Sequence, residues 1–397
     1  MNIVLLPTPP FEEIGGVSTH VYMLAKGLRI LGHSVFVIQE NPSQWFRLPF
    51  VRFPELVISR INLYFSRRYR RWAEEVYYIF AVIWKTRGKI DVINIQNVQH
   101  IGMAKLVQQL LGCKIALTVH GYLTYEAESG KWCSVGDKTH QWLYSMEKEG
   151  YDKSDAIVCV GRAVESYVKQ FTTKSIELIH NGLDMDFFQP DSNIENKCNC
   201  RRILFAGILQ ESKGIMDVLQ VILVLAQEFG QDVTLSIAGK GPQELSARQF
   251  VIEHGLEANV KFLGSLGKDA MPKFYSGGDL FVCPSSQRGL SGKGEEPFGY
   301  TALEAMSCGV PVVAYKTGGL QEQVQDGITG YLVEAGNVAE LTTRVRTLIA
   351  DAELLKKMGI AARNHCVQNF SHIKMAQQYV DVYKCDSKMT MSKRQSN

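Results

Sequence analysis

The sequence predicts an α/β protein in which two doubly wound parallel-sheet domains face each other across a cleft. Three observations support this class: a length of 397 residues, a content of 46% hydrophobic and 21% charged residues, and two successive runs of alternating strands and helices. A chain of this length can form two domains of ordinary size, and the composition is that of a globular protein. Alternating βα units imply parallel sheets that are covered on both faces.

The first βα series is expected to form an N-terminal domain over residues 1–184. Amphipathic stretches predict its helices, the first from Val17 to Leu31. Short runs rich in β-branched residues predict its strands at Asn2–Leu6, Ser34–Ile38, Val92–Ile95, Lys114–Val119, Ala156–Val160 and Ser175–Ile179. The turn from Asn181 to Asp184 closes the series.

The second βα series is expected to form a C-terminal domain over residues 185–370, after a polar linker from Asp191 to Cys200. Its strands are predicted at Arg202–Ala206, Val233–Ala238, Val260–Leu263, Leu280–Cys283 and Val310–Ala314. Residues 371–385 are expected to form a helix that packs back on the first domain, and residues 386–397 a disordered tail. In such doubly wound sheets, ligands bind beyond the carboxyl ends of the strands.

Two carboxylates eight residues apart, Glu296 and Glu304, flank a Pro-Phe-Gly break. Pro297 and Gly299 predict that a helix begins near Tyr300, with Glu296 on the loop before it. Eight helical steps would separate the two Cα atoms by about 12 Å, which is too far for one bond-cleaving pair of carboxyls. The two side chains are therefore predicted to hold two parts of one long ligand, with a phosphate on the helix N-terminus between them.

Polar residues and glycines follow several of the predicted strands. His120 would face the cleft from the end of its strand, unless it caps a helix or loop. Lys213, in a loop that begins at Gly207, would supply charge to a phosphate, unless it is a solvated residue in a first helical turn. A tight turn is an equal alternative for Gly15-Gly16. Further loops with room for a ligand contain Gly239 and Gly264.

Taken together, these segments resemble a retaining glycosyltransferase of family 4, with the two-domain GT-B fold. The resemblance runs from residue 1 to about residue 385, and its most specific part is the block that begins at Glu296. The matching motifs are Gly15-Gly16-Val17, His120-Gly121, Asn181 to Asp184, Gly207 to Gly214, Gly239 to Pro242, Glu296 to Ala314, and Asp326 to Val333. The resemblance implies a nucleotide-sugar donor, most often a UDP-sugar, and neither a metal nor another cofactor.

The resemblance also implies roles for individual residues. In the reaction, Glu296 would hold hydroxyls of the donor sugar, His120 would face the sugar from the other domain, and Lys213 would neutralise the leaving diphosphate. Glu304 would hold the ribose. The leaving phosphate would take the acceptor proton in a front-face substitution, so no general-base side chain is expected. The implied donor-binding residues are Gly16, Gly207, Lys213, Gly239, Gly264, Glu296, Phe298, Gly299, Tyr300, Thr301 and Glu304.

One position departs from the family pattern. Ile208 stands where the family commonly has an Arg that contacts the diphosphate. Either Lys213 suffices, or another cation replaces the Arg. Arg288 and Lys293, in the loop from Ser285 to Glu295, are the expected substitutes, and a solvated loop with incidental charges is the alternative.

Several other classes of ligand and location are disfavoured. No G-x-G-x-x-G fingerprint follows a strand, which argues against a nicotinamide dinucleotide. The nine cysteines form no zinc pattern, and their odd number, without an export signal, favours the reducing cytoplasm. No apolar run approaches the roughly 20 residues of a membrane-spanning helix.

The segment from Arg47 to Arg71 combines seven Arg with one acidic residue, Glu55, and several aromatic residues. This composition suits docking on an anionic bilayer. The alternative is a charged loop followed by an ordinary buried helix from about Arg68 to Lys85. Single-stranded nucleic acid would also suit such a segment, but nothing else in the sequence supports it, and no nucleic-acid partner is expected.

The sequence therefore predicts a retaining, metal-independent hexosyltransferase that extends a glycan or a lipid-linked oligosaccharide in surface polysaccharide or lipopolysaccharide biosynthesis. It would be cytoplasmic and peripheral on the inner face of the plasma membrane. A nucleotide-sugar epimerase of the same fold is the alternative enzyme, and it would convert the donor without an acceptor. A non-catalytic glycan-binding subunit is the alternative from another class, with Ile208 in its favour and the retained Lys213 and His120 against it.

Overall fold

The computed structural model describes residues 1–7, 15–38, 63–129, 133–191, 201–286 and 296–385, with side chains from residue 75 onward in the helix that begins at Leu63. In this part of the chain, two α/β domains are each built on a six-stranded, entirely parallel sheet. The predicted architecture of two doubly wound sheets is confirmed. The predicted linker lies outside the described residues beyond Asp191, and the predicted disordered tail at 386–397 lies outside them entirely.

The first sheet has the strand order β2-β1-β3-β4-β5-β6. Its central strands are buried on both faces, as parallel strands covered by helices require. For example, Val4 pairs with Phe36 on one side and Ile93 on the other. The strands are β1 Asn2–Leu6, β2 Ser34–Val37, β3 Val92–Ile95, β4 Lys114–Val119, β5 Ala156–Cys159 and β6 Ile176–Leu178.

The second sheet has the order β12-β11-β10-β7-β8-β9. Its strands are β7 Arg201–Ala206, β8 Val233–Ala238, β9 Val260–Gly264, β10 Leu280–Cys283, β11 Val312–Tyr315 and β12 Gly330–Val333. The strand that was predicted to begin at Val310 begins at Val312. The reason is that the Val310 N–H donates to the Ala305 carbonyl at 3.0 Å and so ends the preceding helix, while Pro311 has no N–H to donate.

Helices cover both faces of each sheet. The helices of the first domain are α1 Gly16–Ile30, α2 Leu63–Thr86, α3 Ile101–Leu111, α4 Leu123–Ser129, α5 Lys138–Lys153 and α6 Arg162–Val168. Those that follow are α7 Ile215–Phe229, α8 Glu244–Glu253, α9 Met271–Ser276, α10 Tyr300–Ser307, α11 Leu320–Gln323, α12 Val338–Ala350, α13 Ala352–Asn369 and α14 His372–Lys384. Short 3-10 helices lie at Val98–His100, Glu211–Lys213, Gly230–Asp232 and Lys268–Ala270.

Side-chain caps set the starts of several helices. Asp137, Asn337, Asp351 and Ser371 each accept a backbone N–H from the first turn of the helix that follows. A capped N–H is one of those that have no partner within the helix, so each bond favours that starting point. The caps Asp351 and Ser371 therefore favour new helix starts at Ala352 and His372, each within three residues of the end of the preceding helix.

The last helix, α14, lies against the first domain. The Asn94 amide donates to the Tyr383 hydroxyl at 2.6 Å, and the Lys114 ammonium donates to the Tyr383 carbonyl at 3.3 Å. One continuous apolar cluster contains residues from β1, α1, α10 and α14. The chain therefore crosses back from the second domain to the first, and α14 holds the two together through a shared core.

Candidate active site

A cleft of about 530 Å³ lies where the carboxyl ends of the two sheets face each other. Its walls are the loops after β1, β4, β5 and β6 in the first domain, and those after β7, β8, β9 and β10 in the second. These are the positions where ligands bind in doubly wound sheets. Of the predicted site residues, its lining contains Gly16, His120, Gly207, Lys213, Gly239, Glu296, Phe298, Gly299, Tyr300, Thr301 and Glu304. The structure therefore brings together residues that are up to 288 positions apart.

Of the predicted residues that the structure describes, Gly264 is placed differently. Gly264 is outside the lining, next to Ser265, and its carbonyl accepts from the Gly239 N–H at 2.8 Å. It therefore supports the cleft through the backbone of the neighbouring strand. Arg288 and Lys293 lie outside the described residues.

Glu296 and Lys213 form an ion pair at the floor of the cleft. The Lys213 ammonium, at the end of a 3-10 helix after β7, donates to Oε2 of Glu296, on the loop before α10. Burial opposes the charge of Lys213, but the Glu296 carboxylate outweighs it and raises the pKa of the ammonium above its usual value. The lysine is therefore a full positive charge at neutral pH, in a cleft where fixed charge is poorly screened.

Glu304 occupies a different environment, one turn into α10. The Tyr275 hydroxyl donates to its Oε2 at 2.7 Å. Burial raises the pKa of Glu304 to about 7, against lowering contributions from the Tyr275 hydrogen bond and the charge of Lys268. The two carboxylates thus have separate partners, Lys213 and Tyr275, which agrees with two binding roles and not with one shared catalytic step.

The N-terminus of α10 lies between these carboxylates in sequence, as predicted. Gly299 precedes the helix with φ +88°, a left-handed conformation that favours glycine, and no side chain caps the helix there. The first backbone N–H groups of a helix have no partner within the helix, and the helix dipole makes this end positive. Because Gly299, Tyr300 and Thr301 all line the cleft, this end can bind an anion.

His120 faces the cleft from the end of β4 in the neutral form. Its Nε2 bonds to the Gln96 side-chain oxygen at 2.7 Å, and the His20 ring lies edge-on with centroids 4.6 Å apart. Burial is the main cause that holds the pKa of His120 well below its usual value, and the charge of the neighbouring His20 is the second cause. Burial likewise lowers the pKa of His20 to about 4, although its Nδ1 bonds to Asn181 at 2.7 Å. The first domain thus presents a neutral imidazole.

Hydrogen bonds connect His120 to α14. The Gln96 side chain donates to Asn94 at 2.8 Å, and Asn94 donates to the Tyr383 hydroxyl. A parallel path runs from Thr118 to the Tyr379 hydroxyl at 3.1 Å, and from there to His20 Nε2 at 3.5 Å. Sequence reasoning missed this network, because no local pattern links positions more than 250 residues apart.

Two further lysines, Lys240 and Lys268, line the cleft and were also missed. The Lys268 ammonium lies 3.7 Å from the centre of the Tyr22 ring on α1, so it contacts the opposite domain. Ile208, which replaces the expected Arg, lines the cleft with 55% of its surface exposed. The sequence signal that could have found Lys240 and Lys268 is their position just after β8 and β9, the same rule that identified His120.

Within the described part of the chain, no group of three or more His, Cys, Asp or Glu side chains is arranged to hold a metal ion. In the same residues, no helix has both the length and the apolar character that crossing a bilayer requires.

Two facing Rossmann-like domains, with a cleft that holds a lysine, two carboxylates and an open helix N-terminus, define a glycosyltransferase of the GT-B class. Comparison with known proteins agrees. The model for Glycosyltransferase Family 4 matches residues 14–187, and the model for Glycosyl transferases group 1 matches residues 189–365. The chain belongs to the family 4 type of glycosyltransferases.

Curated relatives are similar over nearly the whole chain. N-acetyl-alpha-D-glucosaminyl L-malate synthase of Bacillus anthracis is 26% identical over 388 residues, which cover 94% of each chain. Phosphatidyl-myo-inositol mannosyltransferase of Mycobacterium leprae is 25% identical, over 97% of this chain and 96% of the relative. A GDP-mannose-dependent mannosyltransferase of Mycolicibacterium smegmatis is 30% identical over 57% of this chain and 61% of its own length.

Solved structures share the fold. Sucrose-phosphate synthase from Thermosynechococcus elongatus superposes with a TM-score of 0.72 at 20% identity, over 97% of this chain and 98% of that one. HepE of Anabaena, in complex with UDP, superposes with a TM-score of 0.71 at 19% identity, over 96% and 99% of the two chains. At 19% and 20% sequence identity, the similarity to these two structures shows a shared fold and nothing more.

Proposed function

We propose that the protein is a retaining hexosyltransferase that transfers a hexosyl unit from a nucleotide sugar to a glycan or lipid-linked oligosaccharide during surface polysaccharide synthesis. The observation that carries this proposal is the cleft itself. It places a charged lysine and an open helix N-terminus, which suit a diphosphate, beside carboxylates that suit sugar and ribose hydroxyls. A UDP-sugar is the favoured donor, since HepE binds UDP and UDP-glucose, while one relative depends on GDP-mannose.

In the proposed reaction, the acceptor hydroxyl oxygen forms a bond to the anomeric carbon on the face from which the diphosphate leaves. The bond between that carbon and the phosphate oxygen breaks, and the leaving phosphate takes the hydroxyl proton. Lys213 and the amides of Gly299 to Thr301 stabilise the charge that develops on the diphosphate, so the chain supplies this stabilisation without a metal. Neutral His120 acts as a hydrogen-bonding group toward the sugar and not as a charge.

The first experiment is a thermal-shift screen of nucleotide sugars, because a ligand that binds only the folded state raises the melting temperature. A UDP-sugar is expected to give the largest shift. Acceptor-free incubation with that donor then separates the alternatives. A glycosyltransferase hydrolyses it slowly to UDP and free sugar, whereas an epimerase converts it to a different nucleotide sugar. Binding without either reaction would indicate a non-catalytic subunit.

The decisive variant is Glu296→Ala, compared with Glu334→Ala as the matched control. Glu334 is an exposed carboxylate that lies 3.7 Å from Lys316 and does not line the cleft. Loss of Glu296 is expected to reduce transfer by about 100-fold or more, because its bonds to the sugar would be lost in the transition state. Turnover of Glu296→Ala equal to that of the control would overturn the role of Glu296.

We also propose that the protein docks on the inner face of the plasma membrane through α2 and α3. These helices pack together, and each carries an exposed apolar pair four residues apart. Phe80 and Trp84 on α2 are 67% and 79% exposed, and Leu106 and Leu110 on α3 are 50% and 64% exposed. The Arg-rich segment from Arg47 to Arg71 precedes them and overlaps the start of α2; its side chains lie outside the described residues. Apolar and basic residues together favour an anionic bilayer surface.

Co-sedimentation with vesicles tests this docking. The double variant Phe80→Ser, Trp84→Ser is expected to bind phosphatidylglycerol vesicles about tenfold more weakly than the wild type, because it loses two exposed aromatic anchors. The matched control is Leu245→Ser, Ile252→Ser, which removes an exposed apolar pair from the second domain. Equal binding by the two double variants, or no vesicle binding by the wild type, would remove the membrane proposal.

A further inference from the structure

A second cavity, of about 640 Å³, lies next to the donor cleft and is also formed by both domains. Arg162 lines the second cavity and lies two residues after Val160, which lines the donor cleft. His180 also lines the second cavity and lies one residue before Asn181 of the donor cleft. Tyr122, two residues after His120, lines the second cavity as well. The two cavities are therefore neighbours that share loops but not lining residues.

A tight contact between the domains separates them. A Cβ atom added at Gly161 would lie 2.8 Å from the Pro297 carbonyl oxygen and 3.1 Å from Oε1 of Glu322. Glycine is required there because the two backbones approach so closely. Pro297 lines the donor cleft on one side of this contact, and Glu322 lines the second cavity on the other. A ligand bound in the second cavity therefore lies close to the predicted position of the donor sugar.

One wall of the second cavity is a cluster of tyrosines. The rings of Tyr122 and Tyr125 are stacked, with centroids 6.2 Å apart, and Tyr167 lies edge-on to Tyr125 at 4.8 Å. The Tyr167 hydroxyl donates to the buried Glu147 at 2.6 Å, and Glu147 also accepts from the Tyr151 hydroxyl at 3.1 Å. These bonds hold the aromatic wall in place, so that it is preorganised for a ligand.

The opposite rim is polar. Glu322, only 9% exposed, accepts the Arg162 backbone N–H at 2.8 Å and bonds to His180 Nε2 at 2.7 Å. The Arg162 side chain is 77% exposed, with its Nε 3.7 Å from Glu322, which is a loose contact for a guanidinium with five donors. Gln321 is an exposed amide on the same rim. This rim offers several hydrogen-bond donors and acceptors without a strong net charge.

We propose that the second cavity is a subsite for the acceptor glycan, which binds a sugar unit next to the one that receives the hexose. The proposal rests on the proposed transferase function and deepens it. A pyranose has an apolar C–H face that suits a tyrosine ring and a rim of hydroxyls that suits Arg, Gln and Glu side chains. The volume lies within the range of small-ligand pockets, roughly 300–1,000 Å³.

An array of defined oligosaccharides tests the subsite directly. The wild type, with UDP present, is expected to bind members of the array. Tyr125→Ala is expected to bind them about tenfold more weakly, because an aromatic face that contacts the ring is lost, while Tyr125→Phe retains binding. The matched control is Tyr144→Ala, a partly exposed tyrosine of the same domain that lies outside both cavities.

A kinetic measurement separates this role from a general loss of structure. With an array member as acceptor, Tyr125→Ala and Arg162→Ala are expected to raise the acceptor KM about tenfold. Calorimetric UDP affinity measured on the same samples reports the integrity of the donor cleft. Failure of the wild type to bind UDP or any nucleotide sugar would refute the proposed function. Normal UDP binding, with no glycan bound by the wild type or with unaltered glycan binding by Tyr125→Ala, would refute only the subsite.

Discussion

The two domains contribute opposite kinds of side chain to one cleft. The second domain supplies every charged group in the described lining, three lysines and two glutamates. The described lining from the first domain has none: it consists of glycines, apolar residues, Thr19, Asn181 and a His120 whose pKa is held well below its usual value. The difference indicates which domain would bind the charged part of the ligand. A diphosphate would meet cations and helix dipoles on one side, and its sugar would meet neutral hydrogen-bonding groups on the other.

The cleft thus has a charged half, from the second domain, and a neutral half, from the first domain. Different contacts hold the side chains of the two halves in place. The charged half relies on direct contacts, Lys213 with Glu296 and Tyr275 with Glu304. The neutral half is buried against α14, whose tyrosines reach Asn94 and Thr118 beneath His120. Burial favours the neutral form of an imidazole, so the packing of Tyr379 from α14 against His20 helps to lower the pKa of His20. Three predictions test this comparison, from the largest effect to the smallest.

The largest effect is expected from Lys213→Met in the charged half. Donor turnover should fall by about 100- to 1,000-fold, because one charge that stabilises the leaving diphosphate is lost. Turnover of the nucleotide sugar identified by the thermal screen measures it. Lys316→Met is the control, since that lysine is 52% exposed and makes only a 3.7 Å contact with Glu334.

Lys213→Met also leaves Glu296 without its partner, so its stability must be considered separately. The double variant Lys213→Met, Glu296→Gln is expected to recover the melting temperature without recovering turnover, because it removes the unpaired carboxylate. If the single variant kept near-normal turnover, the charged half would not be the one that carries the diphosphate.

The second prediction concerns His20, the buried imidazole of the neutral half. The pKa of His20 falls from 6.5 to about 4 on folding, so the unfolded chain binds more protons between these values. Stability is therefore fully present above about pH 6.5 and is lost as the pH falls toward 4, by about 3 kcal/mol from this residue. His20→Gln should flatten that slope in urea unfolding, and His254→Gln, at an exposed histidine, is the matched control. Equal slopes for the wild type and His20→Gln would contradict the buried neutral imidazole.

The smallest effect is expected from Glu304. Its pKa of about 7 means that the carboxylate that would accept ribose hydroxyls forms only as the pH rises through that value. The UDP affinity of the wild type should therefore increase about tenfold between about pH 6 and pH 8, measured relative to Glu304→Gln. This variant is the reference because UDP itself titrates identically in both experiments. Lys268→Met should move the midpoint upward, because the charge of Lys268 lowers this pKa. A midpoint that moves downward would show that Lys268 does not act on Glu304.

Much of the fold and part of the site followed from local sequence patterns. The start of α10 at Tyr300 was predicted from Pro297 and Gly299, because proline and glycine constrain the backbone wherever they occur. Eleven of the twelve described strands followed from β-branched runs, with ends correct to one or two residues, whereas β12 was not predicted. His120, Lys213 and both glutamates were identified by their position after strands or at a helix start, which parallel topology brings to one edge.

The remaining features required side chains from distant segments to meet. Lys240 and Lys268 were not predicted but line the described cleft. The prediction that Arg288 or Lys293 replaces the missing Arg falls outside the described residues and stays a prediction. Glu322 gave no local signal of its contact with His180 across the domain boundary. Such pairs depend on how two rigid sheets dock, which no window of neighbouring residues encodes.

Local sequence patterns therefore determined the features that depend on backbone conformation and on hydrophobic periodicity. These features are the two parallel sheets, the order of their strands along the chain, and a helix that begins between two glutamates. Packing of segments that are distant in the chain decided the rest. Within the second domain it set Lys213 against Glu296 and raised the pKa of Glu304, and between the domains it buried His20 against Tyr379 of α14. The physical reason is that acidity and charge pairing depend on the dielectric environment and on neighbours in space, and both exist only after the chain has packed.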